Sequence, residues 1–370
     1  MIAVNEPIIA KNAIEYVTDC LKTGWVSSAG KYISLFEEKF AQFLGVKYAT
    51  TTTSGTTALQ LAFLSLGIGV GDEVILPTLT MIACPYSIIY TGAKPVVVDS
   101  ENDTGNIDVD LIEAKITKRT KAIMVVHLYG HPVDMDKVIR VAKKHNLYVV
   151  EDAAEAHGAT YKGQKVGSLG DVGCFSFYGN KIVTTGEGGM VVTNNKDIID
   201  RGKQLKDLAH SPSRRFLHEE IGYNFRMTNM QAALGLAQLE KIDKFLETKK
   251  EMAYLYNKSL SGIKGLTLPV EKEYAKNVYW MYSIMVEKEF GLTRDELMLR
   301  LKEKGVDTRS YFIPVHKQPA LTKRGLFVNE VYPVAEELSE KGLYLPSGLA
   351  ITNKQIEEVC TKVKDILNEN

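Results

Sequence analysis

KAIMVVHLYGHPVDMDKVIRVAKKHNLYVVEDAA, residues 121–154, reads as strand, helix, strand. Lys121–Gly130 carries an unbroken apolar run. MDKVIRVAKKHN places apolar residues at helical spacing with charges between them. Leu147–Ala154 is a second apolar run, ending in two acids. Parallel strands need a crossover of this length, and such crossovers are right-handed. Strands covered by helices on both faces read as continuous Val/Ile runs, as these do.

The same alternation extends outward. Upstream, SGTTALQLAFLSLG (Ser54–Gly67) has helical periodicity, a candidate N-cap and a terminal glycine. EVILP (Glu73–Pro77) and KPVVVDS (starting at Lys94) are predicted strands on either side of a helical stretch ending near Tyr90. Leu111–Ile116 is predicted helical. Downstream, MVVTNN follows Gly189 as another strand, and a long helical region is predicted over Met230–Leu260. From Ser261 the pattern mixes a strand (Tyr279–Val286) with helices (Arg294–Lys304, Lys354–Leu367). The expectation is an α/β fold: a mainly parallel sheet flanked by helices, then a smaller C-terminal α+β domain. With 370 residues, more than one core usually holds, the predicted division is 1–245 and 246–370.

Forty-five Lys+Arg balance forty-five Asp+Glu. No basic excess of the kind nucleic-acid binders carry is present, and so little net charge does little to hold subunits apart. No apolar run reaches the roughly 18 residues that span a bilayer, and the N-terminus lacks a signal peptide's pattern. A cytoplasmic protein without a membrane or nucleic-acid partner is expected. Cys20, Cys84, Cys174 and Cys360 are scattered without metal-ligand spacing, so no metal site is expected.

Ligands bind at the carboxyl edge of parallel strands, and three stretches lie there. VVEDAAEAHG (Val149–Gly158) ends a strand with Glu151 and Asp152. Side chains alternate along a strand, so only one acid should face a site. His157, a lone histidine, is more often packed than ligating. TTTSGTTAL (Thr51–Leu59) puts small hydroxylated residues where a helix begins. Free N–H groups there suit a phosphate, although a plain N-cap by Ser54 or Thr56 reads equally well. CFSFYGNKIVTTGEGG (Cys174–Gly189) ends an apolar run in Lys181, then a loop with Gly186, Gly188 and Gly189 expected to keep side chains clear of a ligand. An exposed lysine at a strand end is the commoner case. Together, a lysine nucleophile, a carboxylate and an anion cradle form the set that holds pyridoxal 5'-phosphate. Two other glycine stretches fail on context. GIGVGD follows a helix and precedes a strand, the reverse of a dinucleotide fingerprint. SSAGKY has neither the spacing nor the hydroxyl of a phosphate loop.

With these motifs in order, the chain resembles the nucleotide-sugar aminotransferases of the DegT/DnrJ/EryC1/StrS type. The likeness runs from TGWVSSAGKYISLFEEKFA through SGTTAL, GDEVILPTLT, VHLYGHPVDMD, EDAAEAHGA, FSFYGNK, TTGEGGMV and GYNFRMTN to FIPVH. It implies a fold-type I enzyme dependent on pyridoxal phosphate, with a seven-stranded sheet. Lys181 resembles the lysine joined to the cofactor, and Asp152 the acid paired with its pyridine nitrogen. Gly55, Thr56 and Ser176 match phosphate ligands. Glu155 stands near the cofactor ring where many relatives carry glutamine. Met81 takes the place of a stacking aromatic, a departure that its polarizable thioether can partly make good. Asn224 resembles an asparagine that serves the neighbouring subunit, which implies a homodimer, alone or paired into a tetramer. Trp25, Ser27, Arg309 and His316 fall where relatives line the sugar pocket.

The wording FYGNKIVTTGEGGMVVTN and HLYGHPVDMD is similar to the branch that makes GDP-perosamine, with L-glutamate as donor and C4 of GDP-4-keto-6-deoxymannose as acceptor. A UDP- or dTDP-linked keto sugar and a non-catalytic regulator are the alternatives. Lys181 stands where dehydratase relatives carry histidine, which favours transamination.

Overall fold

The computed structural model describes residues 1–211, 213–214 and 216–369. Its large sheet contains β1 (Tyr48–Thr52), β2 (Glu73–Pro77), β3 (Lys94–Val98), β4 (Thr120–Val126), β5 (Tyr148–Asp152), β6 (Val172–Ser176) and β7 (Gly189–Thr193). The spatial order is β1-β7-β6-β5-β4-β2-β3. Strands β6, β5, β4, β2 and β3 run parallel, and β7 runs antiparallel to both neighbours. The quoted stretch forms β4, the helix Met135–His145 and β5, paired in parallel from Ala122↔Tyr148 to Val126↔Asp152.

Strand β2 coincides with EVILP, all five of its residues buried. The helix after β1 spans Gly55–Ser65. Two expectations are corrected. Leu111–Ile116 is not a helix but lies across two 3-10 turns, Val109–Leu111 and Glu113–Lys115. So short a segment cannot offset the cost of starting an α-helix. The long helical region is two helices, Asn229–Leu239 and Ile242–Leu260.

A second, antiparallel sheet holds β8 (Leu266–Thr267), β9 (Tyr282–Val286), β10 (Arg309–Ser310) and β11 (Gly342–Leu345), in the order β8-β9-β11-β10. The Ile242–Leu260 helix spans both cores. Ile242 and Phe245 pack with the large sheet, whereas Met252, Ala253, Tyr256 and Leu260 pack with the small one. The predicted division at residue 245 falls within this helix. Chain residue Ile2 also joins the second core. Among the described residues, no helix is long and apolar enough to cross a membrane.

Candidate active site

Ser54 shapes the anion end. Its Oγ accepts from Thr57 N at 3.2 Å while Thr57 Oγ1 accepts from Ser54 N at 3.0 Å. This capping box uses the third N–H of the helix and leaves those of Gly55 and Thr56 without an intrahelical acceptor. The cap by Ser54 is present, and it leaves these two N–H groups available to an anion. Close packing sets the residues around it. A Cβ on Gly55 would lie 2.7 Å from Ser176 Cβ, and one on Gly189 would lie 2.2 Å from Ser54 O. Glycine at 55 thus lets the helix start sit against Ser176.

Along β5, alternation sends the two acids to opposite faces. Glu151 is fully buried away from the cavity. It accepts from Gly167, Leu169 and Gly170 N–H at 2.7, 2.7 and 2.6 Å and lies 3.0 Å from His127 Nε2. That is a structural staple. Asp152 faces the cavity. Its Oδ1 accepts from Ala154 N at 3.0 Å and its Oδ2 from the Cys84 thiol at 3.2 Å. Burial raises the Asp152 carboxyl above its ordinary range. Burial also pushes the Cys84 thiol well up, which keeps it a proton donor.

Lys181 follows β6 and turns back into the same cavity. Burial is the largest influence on its amine and lowers it from the usual lysine value, with Glu155 and Asp152 opposing. The Nζ lies 3.6 Å from Glu155 Oε1 and 3.5 Å from the centre of the Trp280 ring. Glu155 is itself held by Tyr129 N–H at 2.9 Å. The Trp280 indole donates to Asn180 O at 2.8 Å.

These groups line one cavity of about 390 Å³. It gathers Gly55, Thr56, Met81, Asp152, Glu155, Ser176 and Lys181, which sequence reasoning proposed. Trp280, Tyr178, Asn180, Glu187, Phe312 and Tyr344 also line it and were not anticipated. Trp280 was legible only as part of a strand-like run, because nothing local links it to Lys181.

Other candidates lie outside the cavity of a single chain. Asn224 is exposed. Trp25 is 58% exposed; its carbonyl and that of Ser27 accept from Asn229 Nδ2 and N at 2.7 and 2.6 Å. His316 is buried between Thr78 Oγ1 (2.7 Å) and Glu336 Oε1 (2.9 Å). Arg309 is exposed beside Asp307, across the sheet from Tyr344. His157 packs among Phe40, Phe175 and Phe177, and burial holds it near pKa 3 and therefore neutral. The glycines after Lys181 need a different account from the one expected. A Cβ on Gly188 would strike Thr185 Oγ1 at 2.3 Å and one on Gly189 the Ser54 backbone, whereas Gly186 faces open space. Gly188 and Gly189 serve packing.

The residues fit pyridoxal phosphate in kind and place: free N–H groups and a hydroxyl at one end, a buried carboxylate, and a lysine of lowered basicity. Comparison with known proteins agrees. A GDP-perosamine synthase of Escherichia coli O157:H7 is 47% identical, over 100% of this chain and 99% of that one. A GDP-perosamine synthase of Vibrio cholerae is 42% identical over 100% of both. Among solved structures, S. venezuelae DesV in complex with a ketimine intermediate superposes with a TM-score of 0.89 at 35% identity, covering 96% of this chain and 94% of that one. Helicobacter pylori PseC, an aminotransferase of pseudoaminic acid biosynthesis, reaches 0.93 at 28% identity over 100% of both. With its family model matching residues 7–364, the chain belongs to the DegT/DnrJ/EryC1/StrS aminotransferase family.

Proposed function

We propose that this protein transfers the amino group of L-glutamate to C4 of GDP-4-keto-6-deoxy-D-mannose, giving GDP-perosamine. The observation that carries the chemistry is Lys181, set between Glu155 and Trp280 in a cavity that also holds Asp152 and a free helix start. Support for the sugar comes from the synthases at 42–47% identity across the chain. Pyridoxal phosphate, when bound, supplies the electron sink and carries the amino group between donor and acceptor.

The chain's own residues do the rest. Gly55 and Thr56 N–H groups with Ser176 Oγ hold the phosphate, aided by the helix dipole. Asp152, kept in place by Cys84 and Ala154, holds a proton on the pyridine nitrogen. Met81, on the cavity wall, would pack its thioether against the cofactor. Lys181 anchors the cofactor and moves the proton at the reacting carbon, a task suited to an amine whose basicity burial has lowered. Trp280 and Phe312 line the cavity and would narrow the access of water to it. Trp25, Ser27, Arg309 and His316 lie outside the cavity of one chain, and a part for them in nucleotide-sugar binding rests on the family resemblance alone.

Asn224 serves the cavity of a second subunit in a homodimer. Its exposure on a segment with exposed Phe216, Leu217 and Ile221 supports that role. Mixed Lys181→Ala and Asn224→Ala subunits then regain part of the activity. Two folded, exchanging pools that stay inactive would contradict a shared site.

The substrate assignment is tested with glutamate as donor and three acceptors side by side: GDP-4-keto-6-deoxymannose and the UDP- and dTDP-4-keto-6-deoxyglucoses. The expected result is an amino sugar from the GDP substrate at a kcat/KM at least tenfold above the others, about 1.4 kcal/mol of discrimination. A preference for a uridine or thymidine sugar would move the assignment there.

A further inference from the structure

Lys249 is a buried amine close behind the cavity that the proposed chemistry does not use. It sits in the Ile242–Leu260 helix and is 2% exposed. No carboxylate pairs with it among the described residues. Its Nζ instead donates to two main-chain carbonyls, Trp280 O at 2.9 Å and Ser347 O at 2.5 Å, with Met252 Sδ at 3.7 Å. An ammonium buried without a counter-charge is costly, and burial pushes this one down to about 7.

The sheet explains why two carbonyls meet there. Strands β9 and β11 pair in register up to Tyr282↔Leu345. Beyond that pair the chains part. Tyr282 N donates to the Ser347 side chain at 2.8 Å instead of to a strand partner. Ser347 N turns to Val4 O at 2.8 Å. On the segment leading into β9, the Trp280 indole lies over the Lys181 amine. The carbonyls of Trp280 and Ser347 are left facing each other where the ladder opens, and Lys249 bridges them. Asn180, Lys181, Trp280, Lys249 and Ser347 line one small space behind the cavity.

We propose that Lys249 is a positioning residue for the reaction: by tying the two strand ends together it fixes the Trp280 indole over the amine of Lys181. The proposal rests on the role given to Lys181, but the position of Trp280 can be read without any turnover. The chain has two tryptophans, so Trp25→Phe leaves Trp280 as the only indole. In the full chain, with and without pyridoxal phosphate, Lys249→Met then raises acrylamide quenching of Trp280, which is 4% exposed. In loaded enzyme, kcat falls about tenfold or more, as small misplacements near reacting atoms do, while the KM for glutamate holds. Added to Trp280→Phe, Lys249→Met costs no further kcat, because both act through one group. Should Lys249→Met fail to fold, Lys249→Gln keeps two N–H donors without charge. It is then expected to quench and turn over closer to the parent than Lys249→Ala does. Unchanged quenching in the folded variant, or a full loss of kcat persisting in the Trp280→Phe background, would overturn the proposal. So would Lys249→Gln behaving as Lys249→Ala does.

Discussion

Lys181→Ala is expected to lower sugar amination by roughly 10³- to 10⁴-fold, with the fold intact. The magnitude follows from the double task given to this side chain. Proton transfer by a positioned group contributes about 10²- to 10⁴-fold, and the same amine anchors the cofactor. The structure concentrates that task on one residue. Of the amines on the chain, Lys181 shares a cavity with Asp152, Glu155 and the free start of the Gly55–Ser65 helix. Its basicity is lowered by burial, so less work is needed to present a free amine near neutral pH. Steady-state kcat beside circular dichroism checks the prediction. A folded variant with wild-type kcat would remove Lys181 from the reaction.

Asp152→Asn is expected to lower kcat by about 10²- to 10³-fold, the range seen when a fixed electrostatic partner of a reacting group is lost. Asparagine keeps the size, and its one carbonyl oxygen can still accept from Ala154 N, with the amide NH2 turned to the Cys84 sulfur as a weak acceptor. It cannot hold a proton on the pyridine nitrogen. Stability of the cofactor-free protein should move the other way. Burial raises the Asp152 carboxyl, so the folded state binds its proton more tightly than the unfolded state does. Its stabilising contribution is whole below the unfolded carboxylate value near 3.9 and is lost as pH rises through the folded value. At pH 7 the variant should therefore melt at or above the wild-type temperature, and the difference should shrink as pH is lowered toward 4. A variant that melts lower at pH 7, with wild-type kcat, would make Asp152 a structural acid like Glu151.

The sequence made the large sheet legible because its strands are buried on both faces. Most of its β-runs are short Val/Ile blocks between turn signals, so EVILP could be read to the residue, whereas β1, YATTT, carries no such block and went unread. The helix start at Ser54 was legible for a similar reason: its cap is written in adjacent residues. Glu151 and Asp152 could be separated in principle but not assigned a face, since alternation fixes only their opposition. What stayed hidden was set by tertiary contact. Trp280 reaches Lys181 where the two central strands of the small sheet part at the end of their ladder, a feature with no local signature. Lys249 reads in sequence as one more charge on an amphipathic helix, yet it is buried. The glycines after Lys181 announced a close approach but not its partner, which proved to be the Ser54 backbone and Thr185.

If Lys181 anchors the cofactor, the bond between them can be mapped chemically. The purified protein is incubated with pyridoxal phosphate, reduced with borohydride, digested and analysed by mass spectrometry. The expected result is a reduced phosphopyridoxyl group on the peptide containing Lys181 and none on that peptide when glutamate is added in excess before reduction. A label on another lysine, such as Lys249 or Lys206, with the Lys181 peptide unmodified, would contradict it.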